Sequence, residues 1–142
     1  MTTDDRTKLI SQLLALESPE TRAPDAVEER SVWLWDRLAN HLTPLIGQMG
    51  FESLYARAVH FSQSECQGLS AFTLGQETDF LQKLREDIRG LEHDTAERCT
   101  TILLNKFIEL VTAMIGEALM GHILRSAWDE YSARYGTRGV SE

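Results

Sequence analysis

The residue types that most often carry chemistry in proteins are sparse in this sequence. His93 and Glu97 stand four residues apart and would share one face of a helix, which is a spacing that metal ligands use. A metal ion needs further donors, and nothing else in the sequence supplies them. Two solvated side chains on a helix surface are the simpler interpretation of this pair. We therefore predict no metal site and no bound cofactor.

The sequence also lacks the motifs of the common enzyme classes. It contains no phosphate-binding glycine loop, no G-x-S-x-G nucleophile turn, no H-E-x-x-H zinc motif and no Glu-x-x-His pair of the di-metal helical bundles. Ser62, Cys66 and Cys99 have no neighbouring base in the sequence that would activate them as nucleophiles. We predict no catalytic residues and favour a protein that is not an enzyme.

A short segment near the C-terminus resembles the phosphorylation site of histidine phosphotransfer domains. The segment His122-Ile-Leu-Arg-Ser-Ala is similar to the His-x-Leu-Lys-Gly-Ser sequence around the phosphorylated histidine of that family, whose domains are all-α bundles. The resemblance covers six residues, and Ser126 stands where the family has glycine. It implies that His122 accepts a phosphoryl group and that Arg125 supplies the positive charge beside it.

Trp33 falls outside the apolar face of its predicted helix. That face covers an arc of about 160° on a helical wheel, whereas Trp33 lies among charged residues. Arg30 precedes it by three residues and Arg37 follows it by four, so either guanidinium reaches the indole. Tryptophan and arginine are enriched at binding hot spots, which makes these three residues candidates for a protein interface. The alternative is that the first helix covers Trp33 within the same chain.

The apolar face of the C-terminal region changes direction after Gly121. Leu124, Trp128 and Tyr131 point about 90° or more away from the apolar face that precedes them. Either the helix bends near Gly116 and Gly121, or the tail packs on another part of the structure or on a second subunit. Trp128 and Tyr131 are therefore further candidates for the interface.

Three residues are candidates for lining a ligand pocket between helices. Glu117 lies on the side of Trp128, where a half-buried carboxylate needs a partner such as Arg57 or Arg98. Met114 belongs to the apolar face of the same helix, and Phe72 lies in a loop that caps one end of the bundle. A structural ion pair is one interpretation of Glu117. A small-molecule sensor or carrier with an inter-helix pocket is the other.

Helices are predicted to position all of these residues. Apolar residues recur at three- and four-residue spacing, and no stretch shows the two-residue alternation of a strand. We predict one all-α domain over residues 1–142, a bundle of about five helices with a long central C-terminal helix. Pro44 is expected to kink or restart the second helix. The helices are predicted near residues 4–17, 25–42, 51–66, 77–89 and 94–135, with the first able to move and residues 136–142 disordered.

Composition limits the partners and the compartment. With 14 basic and 22 acidic side chains the net charge is −8, which disfavours nucleic acid and anionic lipid as partners. The most apolar segment is interrupted by charges, so no membrane span is expected. The two cysteines have neither metal nor redox spacing, from which we expect no disulfide and a cytoplasmic location.

These patterns favour a non-enzymatic regulatory or adaptor domain that acts through protein–protein contacts. We expect a homodimer, or a complex with another protein, in signalling of the bacterial type. The small-molecule sensor and the histidine phosphotransfer domain are the alternatives.

Overall fold

The computed structural model describes residues 26–69 and 79–135, and the regular elements in these two ranges are all α-helices. This confirms the predicted all-α fold, with four helices in the described ranges where about five were predicted for the whole chain. The predicted helix at 4–17, the loop with Phe72 and the tail 136–142 lie outside the described residues. The helices are α1 (Ala26–Ser62), α2 (Phe80–Arg89), α3 (His93–Ile115) and α4 (Glu117–Tyr135).

Helix α1 consists of two arms that meet at Gly47. The backbone torsions of Gly47, φ 83° and ψ 159°, lie in a region that is adopted almost only by glycine. Pro44, where the sequence predicted the kink, stays inside the helix. The break therefore occurs at Gly47, and the predicted second and third helices join there without a loop. We call residues 26–46 the N-terminal arm and residues 48–62 the C-terminal arm.

Both arms of α1 pack on α3 around a group of aromatic rings. Phe107 of α3 lies 4.8 Å from Trp35 of the N-terminal arm and 5.1 Å from Phe51 of the C-terminal arm, measured between ring centroids. Phe80 of α2 lies 5.2 Å from Phe51 and 4.8 Å from Tyr55. Each such pair contributes about 0.5–1.5 kcal/mol beyond the area that it buries. Because α1 packs against the three other helices, it is the central element, and the prediction of a central C-terminal helix is wrong.

The apolar faces predicted from helical spacing are buried along most of the described chain. The exceptions lie at the helix bends, where Leu45, Met114 and Leu119 are exposed although the spacing assigned them to the core. The buried residues that confirm the prediction are Val32, Leu34, Trp35, Leu38 and Leu42 in the N-terminal arm, Phe51, Leu54, Tyr55, Ala58, Val59 and Ser62 in the C-terminal arm, Phe80, Leu84 and Ile88 in α2, and Leu103, Leu104, Phe107, Ile108 and Val111 in α3.

The predicted long C-terminal helix is broken at Gly116 into α3 and α4. Gly116 has φ 95° and ψ 156°, the same type of backbone conformation as Gly47. The bend turns the second apolar face back onto the bundle, where Leu124, Ala127 and Tyr131 are buried and α4 contacts both α1 and α3. Of the alternatives left open by the sequence, the bend at Gly116 is present and the tail packs on its own chain.

A disulfide joins Cys66, which follows α1, to Cys99 in the second turn of α3. The two Cα atoms are 5.7 Å apart, and both side chains are buried. The expectation of no disulfide is therefore wrong, because the fold brings together two cysteines that are separated by 33 residues in the sequence. The argument for a cytoplasmic location from cysteine spacing is lost with it. Within the described ranges, the helices are too short or too polar to cross a lipid bilayer.

Candidate functional site

The five predicted interface residues come together between the N-terminal arm of α1 and α4. Tyr131 lies at their centre, with the ring of Trp33 at 5.9 Å in an edge-on arrangement and the ring of Trp128 stacked at 6.2 Å. Arg30 donates a hydrogen bond of 3.0 Å to the Tyr131 hydroxyl oxygen. Arg37 lies over the Trp33 ring at 6.0 Å from its centroid, as the spacing predicted. We call these five residues the aromatic cluster.

The aromatic cluster attaches α4 to α1 within one chain. Tyr131 is buried, and Trp33 and Trp128 are half-buried against the core. A further contact lies along the same pair of helices, where His41 Nε2 and Glu130 Oε1 are 3.2 Å apart. The predicted coverage of Trp33 by the first helix concerns residues outside the described ranges, whereas α4 covers part of Trp33 in the structure. The cluster therefore stabilises the packing of α4 on α1 within a single chain.

Large apolar side chains are exposed around the two helix bends. We call Leu45, Met49, Met114 and Leu119 the bend patch. Their exposed fractions are 52%, 69%, 57% and 39%, respectively. Leu45 and Met49 flank Gly47, and Met114 and Leu119 flank Gly116. Helical spacing places Leu45, Met114 and Leu119 on the apolar faces of their helices, and of these the sequence analysis singled out only Met114, as a candidate pocket residue.

The packing of α1 on α3 places both bends at the same end of the bundle. The C-terminal arm runs antiparallel to α3, because Phe51 contacts Phe107 and Cys66 is bonded to Cys99. Gly47 precedes Phe51 by about one helical turn and therefore lies on the Ile115 side of Phe107. The end of α3 and the start of α4 lie on that side as well. All four residues of the bend patch therefore lie at the same end of the bundle.

Three of the four bend-patch residues lie in segments without ionisable side chains. Residues 43–51 of α1 and residues 110–116 of α3 contain no Asp, Glu, Lys, Arg or His, and Glu117 follows directly. The whole chain, by contrast, carries a net charge of −8. These two segments are therefore apolar and without charge, whereas Glu52, Glu109 and Glu117 border them.

Among the described residues Glu28 has a buried carboxylate, a role for which the sequence did not single it out. Arg85 of α2 donates a hydrogen bond of 2.7 Å to Glu28, and Arg89 donates bonds of 2.9 and 3.0 Å. Burial by itself raises the pKa of the Glu28 carboxyl, but the hydrogen bonds and charges of Arg89 and Arg85 outweigh burial and lower it from 4.5. The sequence feature that could have identified this contact is an acidic residue near the start of one helix and two arginines on another. The sequence does not specify that these residues pair.

The two predicted pocket residues in the described ranges, Met114 and Glu117, are exposed and not buried between helices. Glu117 is exposed in the first turn of α4, so its predicted half-buried position is wrong. Met114 is exposed beside it, and Phe72 lies outside the described residues. Among the described side chains, no group of three or more histidines, cysteines or carboxylates is arranged to hold a metal ion.

His122 and Arg125, the predicted phosphoacceptor and its cation, are both exposed on α4. They are three residues apart and therefore share the outer face of the helix. Asp129 is exposed one turn beyond Arg125 on the same face. The imidazole is thus accessible to a phosphodonor.

Comparison with known proteins gives no significant match to a family model, to a curated protein or to a solved structure. The function is therefore inferred from the geometry of the chain alone.

Proposed function

We propose that this chain is a non-enzymatic regulatory or adaptor domain that acts through protein–protein contacts and forms a homodimer through the bend patch. The observation that carries the proposal is the exposure of four large apolar side chains at one end of the bundle. Single exposed apolar residues are common on protein surfaces, whereas a group of them is typical of an interaction surface. The role in signalling of the bacterial type and the cytoplasmic location stay predictions from the sequence.

A second copy of the chain is the partner that the charge distribution favours. Two copies, each with a net charge of −8, repel each other over most of their surfaces. The repulsion is weakened where the bend patch lies, because residues 43–51 and 110–116, which carry three of its four members, contain no ionisable side chains. A two-fold axis through this end pairs the patch with itself, as in most homodimers.

The proposal is tested by sedimentation equilibrium over a concentration series. Met49 is the most exposed patch residue. Burial of its exposed surface in the dimer contributes about 1 kcal/mol per subunit to the free energy of association. Because a symmetric dimer buries two copies, we expect Met49→Ser to raise the dimer dissociation constant by about 30-fold. Met114→Ser is expected to act in the same direction.

Phe61→Ser is the matched control for these variants. Phe61 is an exposed apolar residue near the end of the C-terminal arm, outside the bend patch, and its substitution should leave the dimer dissociation constant unchanged. A wild-type chain that stays monomeric at all concentrations would contradict the proposal. So would a dimer that tolerates both methionine substitutions.

A second candidate function is phosphoryl transfer through His122, which the exposure of His122 and Arg125 favours. The test is incubation with a small phosphodonor such as phosphoramidate, followed by mass spectrometry of the intact protein. Phosphorylation should be lost in His122→Asn and kept in His60→Asn, because His60 is an exposed histidine on α1 without the resemblance. Label that persists in His122→Asn rules out this function.

A further inference from the structure

The connection between α3 and α4 is a single residue with helical hydrogen bonding on both sides. The Gly116 N–H donates a bond of 2.8 Å to the Thr112 carbonyl, and the Met120 N–H donates one of 3.1 Å to the Gly116 carbonyl. Both are bonds between residues four apart, as in an uninterrupted α-helix. Only the torsions of Gly116 separate α3 and α4 from one continuous helix over residues 93–135.

The torsions of Gly116 are ones that glycine adopts freely and that a residue with a Cβ atom disfavours. The φ of 95° and ψ of 156° lie in a region where residues other than glycine are rare. A Cβ atom at this position would meet no atom within 4 Å, so a larger residue is disfavoured here by the backbone torsions and not by a clash. Short hinge connections favour the exchange of elements between subunits.

The contacts that hold α4 on α1 lie far from this connection. The hydrogen bond from Arg30 to Tyr131 and the contact between His41 and Glu130 involve residues 130 and 131, near the opposite end of α4. None of these contacts depends on which chain supplies α4. The surface of α1 that receives α4 is therefore equally complementary to α4 of a second copy.

We infer that the homodimer forms by exchange of α4, an inference that rests on the proposed function and specifies its mechanism. In each subunit Gly116 takes up helical torsions, and α4 leaves its own α1 to pack on α1 of the partner. Exchange of an identical element keeps the contacts of α4 with α1 and lets the backbone N–H groups of residues 117–119 gain the helical partners that the bend interrupts. Met114 and Leu119, exposed on either side of Gly116, are then covered where the two straightened helices meet.

Substitution of Gly116 tests the role of the connection. Alanine disfavours the bent conformation and favours the helical one, so we expect Gly116→Ala to lower the dimer dissociation constant by about tenfold or more. Gly90→Ala is the matched control, since Gly90 follows α2 away from both bends, has ordinary helical torsions, and an added Cβ makes only an ordinary contact with the Asp87 carbonyl oxygen at 3.6 Å. An unchanged dissociation constant in Gly116→Ala, measured by sedimentation equilibrium, overturns the inference.

Cross-linking between two variants tests the exchange independently of Gly116. One chain carries His41→Cys and the other Glu130→Cys, and the two are mixed, partly unfolded together, refolded and treated with a short bis-maleimide without reductant. In an exchanged dimer, position 41 of one chain faces position 130 of the other, so a cross-linked pair of unlike chains is expected on a denaturing gel. A chain that carries both substitutions should form an intramolecular cross-link between positions 41 and 130 when it is monomeric.

The outcomes separate this inference from the proposed function. A dimer that yields cross-linked unlike chains and loses affinity in Met49→Ser supports both. A dimer that loses affinity in Met49→Ser but yields no such cross-link overturns the exchange of α4 and leaves the proposed function standing. A wild-type chain that is monomeric at all concentrations overturns the proposed function and the inference with it.

Discussion

Glu28 shows how one residue ties together elements that are distant in the sequence. Its carboxylate accepts hydrogen bonds from Arg85 and Arg89, which lie 57 and 61 residues further along the chain. The two guanidinium groups satisfy a charge that would otherwise be costly to bury. The contact therefore fixes the first turn of α1 to the face of α2.

We predict that Glu28→Gln lowers the free energy of unfolding by about 1–3 kcal/mol at pH 7, because hydrogen bonds to a charged group are lost. The pKa of Glu28 is lowered in the folded protein, so its contribution is fully present above pH 4.5 and disappears as the pH falls through the folded pKa. Urea unfolding of the wild type and the variant at pH 7 and at about pH 2.5 measures this change. The difference between the two proteins should be smaller at the lower pH.

The exposed neighbour Glu29 provides the control for this measurement. Glu29→Gln should leave the free energy of unfolding nearly unchanged at both pH values, since surface substitutions have effects within about 0.5 kcal/mol. A difference between wild type and Glu28→Gln that is independent of pH would contradict the assigned role of the carboxylate.

At the scale of elements, two glycines decide the architecture by bending helices that the apolar pattern would otherwise continue. Gly47 folds α1 back so that Trp35 and Phe51 reach the same ring of Phe107. Gly116 turns α4 onto α1 so that Tyr131 is buried. Each bend replaces one long helix by two packed ones, and each leaves apolar residues exposed at its outer side.

We predict that Gly47→Ala lowers the free energy of unfolding by about 1–3 kcal/mol, because alanine is strained at φ 83° and ψ 159°. Urea unfolding at pH 7 measures the effect. Gly50→Ala, three residues further along α1, should instead be neutral or stabilise the protein by up to about 1 kcal/mol through its helix propensity. Equal effects of the two substitutions would show that the torsions of Gly47 do not matter.

The disulfide acts at the scale of the whole molecule, because it closes a loop that contains α2 and the beginning of α3. Cys66 and Cys99 are 33 residues apart in the sequence, and the bond restricts the unfolded chain over that length. It also keeps the C-terminal arm of α1 against α3, at the end of the bundle opposite the bend patch. The covalent link and the proposed interface thus lie at opposite ends.

We predict that reduction of the Cys66–Cys99 bond lowers the free energy of unfolding by about 2–4 kcal/mol, as expected for a loop of this length. Guanidinium unfolding with and without a phosphine reductant measures the change. In the double variant Cys66→Ser, Cys99→Ser the reductant should have no effect. Equal stability of the oxidised and reduced wild type would contradict a stabilising role of the bond.

Local physical properties of the sequence were enough to determine the all-α class, most of the buried helix faces and the contact between Trp33 and Arg37. A helix repeats every 3.6 residues, so Phe51, Tyr55 and Ser62 fall on one face whatever the rest of the chain does. The unusual position of Trp33 and the change of apolar face after Gly121 pointed to the residues that form the aromatic cluster. These predictions involve residues that lie near each other in the sequence.

Only the tertiary structure decided which helix faces meet and which apolar residues stay exposed. Glu28 with Arg85, Cys66 with Cys99 and Arg30 with Tyr131 are partners separated by 57, 33 and 101 residues, and no local rule selects them. Exposure of Leu45 and Met114 follows from bends at Gly47 and Gly116, because a turn in the axis removes the neighbour that a straight helix would have had. The candidate interface therefore depends on the direction of the helix axis after Gly47 and after Gly116. Packing between distant segments sets both directions.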